Sequence, residues 1–314
     1  MSPSHRIKAT PTREKPAEVN RDSASAPAWP SYRGTSQFVG SSPSGRASVY
    51  VDPTLGQPGL QNAQDLVNDA DRVVAANDAI FGTTGGPVSV IVFALGNATD
   101  GTGGADHMGC DYTTGAAIEV DASFGNSARV SALFEAELSE CSMNGNLCGL
   151  STGEALSRWC AASISNNALS DFATAPQWAQ DGMPDFVNKT DSTDQNADST
   201  GCGMAFLSWL MSQAHSLGEI APAMVGLGDA GTLAQLYADL TSDAASNAWP
   251  NFQSAIQAQP SGVTSDDPFG AAQAAQIAGV RFSKVRTRAA KAPAAAAICQ
   301  PGSKRLLPPA RKTA

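Results

Sequence analysis

Histidine is scarce in this chain: His5, His107 and His215 are the only three in 314 residues. No two of them lie one helical turn apart, so no His-Glu-x-x-His pair of imidazole metal ligands exists. Basic residues are scarce too in the central part. Residues 47–280 hold only Arg72, Arg129, Arg158 and Lys189 against twenty-six Asp/Glu, a formal charge of −22. A surface that neutralises phosphates needs clustered Lys/Arg, which excludes nucleic acid as the ligand of this region. No apolar run is long enough to span a bilayer. The opening residues, Met1 to Arg6, are polar and lead into no apolar h-region, so no conventional secretory signal is expected. Gly82-Thr83-Thr84-Gly85-Gly86 and Gly101-Thr102-Gly103-Gly104 are followed by no lysine, which excludes a phosphate-cradling P-loop.

What is present divides by charge. Residues 1–46 carry seven Lys/Arg against three Asp/Glu, and residues 281–314 carry nine Lys/Arg and no acid. Both ends are rich in Pro, Ala and Ser, a composition that buries too little apolar surface to order itself. The expected organisation is a disordered basic tail at 1–46, one domain at 47–260, and a low-complexity basic tail at 261–314. Six cysteines are present. Cys141 and Cys148 bracket a short Gly/Asn loop that a disulfide could close, with buried free thiols as the alternative. This cysteine content is compatible with an extracytoplasmic location and leaves the compartment open.

Residues 47–51 and 117–121 read as strands, and Val88 to Leu95 as a buried strand with a nearly continuous β-branched run. Apolar residues at 63, 66, 67, 70, 73, 74 and 81 recur at helical spacing, with Gly82 as the stop. Residues 96–115 read as a Gly-rich loop. Helices are expected at 127–143, 152–168, 176–188, 201–215, 219–227, 230–241 and 247–258. The fold class is therefore α+β: a mixed sheet with helices in the N-terminal half and a mainly helical C-terminal half.

The helix at 127–143 carries the most chemistry. Val130, Leu133, Phe134, Leu138 and Cys141 share one stripe, with Glu137 in its middle and Glu140 on its flank, while Glu135 points well away. An acid on an apolar face is costly unless paired, bonded, protonated or metal-bound. Burial and repulsion between acids three residues apart raise a carboxyl pKa. That prepares a general acid/base, and it equally describes a structural carboxyl bonded to buried groups.

Three segments resemble the gluzincin branch of the zincin metallopeptidases. Ala136-Glu137-Leu138-Ser139-Glu140 is similar to a His-Glu-x-x-His helix whose histidines are replaced. Gly153-Glu154-Ala155-Leu156-Ser157 resembles the Asn-Glu-Ala-Ile/Leu-Ser segment that supplies a glutamate ligand. Trp178-Ala179-Gln180-Asp181-Gly182-Met183-Pro184-Asp185-Phe186-Val187 is similar to the Trp-x-x-Glu-Gly segment of other gluzincins. The resemblance implies a zincin-like domain, with residues 117–121 as the substrate-binding edge strand. It places Glu137 at the general base, Ala136 and Glu140 at the two histidines, and either Glu154 or Asp181 at the third ligand.

Ala136 has no donor atom, and the surviving all-oxygen set is poor for Zn²⁺. No resident cofactor is expected. A divalent cation (Zn, Ca or Mn) at a degenerate site is the alternative, with Glu140, Glu154, Asp181 and loop residue His107 as candidate ligands. The expected function is a zincin-like pseudoenzyme, a scaffold with a peptide or protein in its cleft. Two alternatives stand beside it. One is an atypical metallohydrolase using Glu137 as base; the other is a carbohydrate-binding or carbohydrate-cleaving protein built on paired carboxylates.

Overall fold

The structure of the chain, a computed structural model, describes residues 26–165, 167–171 and 173–274. In chain order the elements are strands β1 (Gln37–Ser41) and β2 (Ala47–Val51), helix α1 (Gly56–Phe81), and strands β3 (Val88–Phe93), β4 (Ala105–His107) and β5 (Ala117–Asp121). Helices then follow: α2 (Ser127–Ser142), α3 (Ser151–Ile164), α4 (Ala168–Asp171), α5 (Ala175–Gln180), α6 (Ala197–Ser212), α7 (Leu217–Leu227), α8 (Leu233–Thr241), α9 (Ala248–Gln257) and α10 (Ala271–Ala274). The architecture is a five-stranded mixed sheet in the N-terminal half and helices thereafter.

The sheet order is β1-β2-β3-β5-β4. β2, β3 and β5 run parallel, and β1 and β4 are antiparallel edges. Residues 117–121 are therefore not the edge strand that the sequence suggested: β5 is paired on both sides. The edge is β4, inside the stretch read as loop, in register Ala105↔Val120, Asp106↔Glu119 and His107↔Ile118. Three residues are too few to display strand alternation, and Gly103, Gly104 and Gly109 around them mask the signal.

The ordered domain also exceeds 47–260 at both ends. β1 lies within the segment assigned to the basic tail, Trp29 is buried, and Asp266 and Ala271 are buried beyond residue 260. The remaining tail residues, 1–25 and 275–314, lie outside the described residues. The helix expected over 176–188 stops at Gln180, because Gly182 takes a left-handed φ of 89° and Pro184 cannot donate to a helical ladder.

One face of the sheet packs Val49, Val90, Val92, Ile118 and Val120 against α1 and α2 through Leu66, Val73, Leu133, Phe134 and Leu138. The opposite face, with Tyr50, Ile91 and Phe93, is covered by residues 26–36, chiefly Trp29 and Tyr32. This second cover depends on one acid. Buried Glu119 accepts from Ser31 N (3.0 Å), Ser31 Oγ (2.5 Å) and Tyr32 N (2.6 Å). Glu119→Ala leaves these donors without an acceptor, and we expect a loss of about 3 kcal/mol. Limited proteolysis should then cut within 26–36 before the rest of the domain. Unchanged resistance there would show that the apolar contacts alone hold the segment.

The helical half has its own core, in which Trp159, Trp178, Phe206 and Phe252 are buried and Trp178 stacks on Phe252 at 5.8 Å. Trp159 Nε1 donates to Met204 O (3.1 Å) and ties α3 to α6. The disulfide joins Cys110 to Cys148, not Cys141 to Cys148. Cys141 faces the core from α2 and donates to Gly115 O at 3.2 Å, so its sulfur is turned away from the loop that carries Cys148. Cys141, Cys160 and Cys202 are free and buried. The disulfide is compatible with an oxidising compartment. Among the described residues no helix is long and apolar enough to cross a membrane.

Candidate binding cleft

Helix α2 starts immediately after β5, with Asn126 accepting from Arg129 N (3.3 Å) as its cap. Its apolar stripe docks on the sheet. Its Ala136–Glu137–Glu140 face lines a cleft of about 660 Å³, together with edge strand β4, α3 and the start of α6. The cleft collects Glu137, Glu140, Glu154 and His107 from the candidate set. Asp181 is not among its lining residues. It is exposed and accepts from Gln177 Nε2 at 2.6 Å. Of the two acids proposed for one position, Glu154 is the one in the cleft.

His107 projects from β4 to α2. Its Nδ1 faces the Gly109 carbonyl, and its Nε2 lies 2.9 Å from Glu140 Oε2 and 3.8 Å from Glu137 Oε2. A carbonyl only accepts, so Nδ1 is the donor there, and Nε2 faces a carboxylate; this arrangement favours the protonated ring. Burial opposes its charge, but the Glu140 bond and charge, the Gly109 carbonyl and Asp106 outweigh that, and the pKa rises above 6.5. This pairing strengthens the fold below about pH 6.5 and loses its contribution as pH rises through the elevated value.

The acids beside it shift upward. Burial, then the charges of Glu140, Glu154, Asp106 and Asp194, push Glu137 well above 4.5. Glu154 is raised by burial, opposed by Arg158, whose Nε sits 2.6 Å from Glu154 Oε1. Asp106 is raised by burial and accepts from His107 N at 2.8 Å. Arg158 and Asp194 both line the cleft, and sequence reasoning gave neither a part in it. Arg158 had a readable signal: it stands four residues after Glu154 on a helix.

Glu135 turns away from the cleft, as its helical position requires, but into the interior and not to solvent. It is fully buried, neither oxygen has a hydrogen-bond partner, and burial drives its carboxyl well above 4.5. The sequence hides this because α2 is covered by the sheet on one side and by α3 on the other. Its hydrophobic stripe marks only the first.

His107, Glu140 and Cys148 place possible ligand atoms within 4.8 Å of one another. These groups do not fit a resident zinc. The Cys148 sulfur is held in the disulfide, as is that of Cys110, and the two His107 ring nitrogens face Glu140 and the Gly109 carbonyl. Ala136 supplies no atom, and Arg158 occupies Glu154. No family model, no curated protein and no solved structure matches this chain.

Proposed function

We propose that the chain is a zincin-like protein whose cleft binds an extended peptide without hydrolysing it. The observation that carries this reading is the His107–Glu140 ion pair, which closes on α2 where the resemblance to gluzincins puts the second zinc histidine. The order β4, β5, α2 supports it: a short antiparallel edge strand borders the cleft above the helix that bears the altered motif.

Gly104 O accepts from Asp121 N and Met108 N donates to Ala117 O, so the alternation turns the backbone groups of Ala105 and His107 to the open side. An added strand finds partners there in the Ala105 N–H and the Ala105 and His107 carbonyls, the His107 N–H being held by Asp106 Oδ1 at 2.8 Å, and side chains lining the cleft below supply selectivity. Hydrolysis is disfavoured by the missing metal ligands: Ala136 supplies no donor atom and the Cys148 sulfur is held in the disulfide. The carbohydrate reading loses its aromatic platform, because Trp159, Trp178 and Trp209 are packed in the helical core and none lines the cleft.

Restoring the ligands tests the reading. Ala136→His/Glu140→His should take up stoichiometric zinc, measured by elemental mass spectrometry, while the native chain binds peptides and leaves them intact on mass spectra. Cleavage by the native chain, abolished by Glu137→Gln, would replace this reading with a hydrolase.

A further inference from the structure

Resting on the peptide-binding reading, we infer that the peptide this cleft takes is basic, with a Lys or Arg side chain seated among Glu137, Glu140 and Glu154 below edge strand β4. Five acids line the cleft: these three with Asp106 and Asp194. The positive groups on the same lining are His107 and Arg158, already committed to Glu140 and Glu154. With every group ionised the lining carries an excess of three negative charges.

The crowding is visible in Glu137, which has His107 Nε2 3.8 Å from its Oε2 while four acids push on it. A cation placed there relieves that repulsion, whereas an acidic side chain adds to it. The wall opposite α2 carries polar groups without partners. Thr200 lines the cleft, is 1% exposed, and its hydroxyl oxygen has no hydrogen-bond partner. Thr174, on the same wall, also has a buried hydroxyl without a partner.

Ammonium and guanidinium groups are donors only. They match a pocket of carboxylate and hydroxyl acceptors, and the flexible stem of either residue reaches from a strand on β4 to the floor on α2. Charge complementarity thus selects the occupant: an extended segment whose main chain pairs with Ala105 and the His107 carbonyl and whose basic side chain points down.

The test is fluorescence anisotropy on the full chain with four labelled peptides of one length, differing at a single central residue: Lys, Arg, Ala or Glu. The Lys and Arg peptides should bind at least about tenfold tighter than the Ala peptide, with the preference shrinking at high salt. Glu137→Gln should reduce that preference. Asp194→Asn, on the cleft's rim loop, should reduce it less and serves where the first variant is poorly folded. Lys and Arg peptides that bind no tighter than the Ala peptide would overturn the charge inference and leave the peptide-binding reading standing. Absence of binding by all four would overturn both.

Discussion

Replacing both Cys110 and Cys148 by serine is expected to lower the unfolding free energy by about 4 kcal/mol. The bond closes a segment of 38 residues that contains β5 and α2, so it constrains the floor of the cleft and one of the central strands together. The loop-entropy relation for a ring of that size gives this magnitude. In guanidinium the midpoint should fall with little change in slope, and the thermal midpoint should drop by about 10 °C. On the proposed peptide-binding reading, the double variant should also bind peptide less well, since Cys110 lies in the loop that follows His107. A loss below about 1 kcal/mol would mean that burial of this region, and not the cross-link, sets its stability.

The second large effect has the opposite sign. Glu135→Leu removes a fully buried carboxyl with no hydrogen-bond partner and fills the same space with an apolar side chain. A gain of about 2 kcal/mol at neutral pH is expected, because an unpaired polar group in the interior carries its full desolvation penalty. The pH dependence identifies the cause. Folding holds the Glu135 proton more tightly than the unfolded chain does, since burial raises its pKa. The folded state then binds more protons, and stability falls as pH rises. The contribution is fully present below about 4.5, the ordinary value, and is lost on the way up to the elevated one. The slope over that window approaches about 1.4 kcal/mol per pH unit for this one group. Glu137 and Glu154 act in the same direction, so the variant should show a shallower decline and not a flat line. A variant less stable than the native chain at neutral pH would assign Glu135 a bonded structural role.

The strands β2 and β5 can be read from the sequence to the residue, because Ala47–Val51 and Ala117–Asp121 are short β-prone runs between turn-forming segments. Helix α2 can be placed within a residue of its end, since its apolar spacing is regular and Asn126 caps it. Edge strand β4 is illegible: its pairing energy comes from β5, not from its own three residues. Its consequence is illegible too. His107 and Glu140 are 33 residues apart, and only the β4–β5 register brings the ring over the helix. The sequence names both side chains as candidates without showing that they neutralise each other. Cysteine pairing fails for a similar reason. Cys141 is nearer to Cys148 in sequence, but its helical position aims it into the core. The choice between Glu154 and Asp181 turns on where α5 ends, which Gly182 and Pro184 decide.

The most direct test of the central claim is elemental analysis of the native chain purified without an affinity metal, paired with a peptide-cleavage assay before and after chelation. The proposed reading, a zincin-like cleft with the His107–Glu140 ion pair in place of a metal, predicts substoichiometric metal, no cleavage, and peptide binding that the chelator leaves unchanged. One metal per chain, with peptide cleavage that the chelator abolishes, would contradict the account.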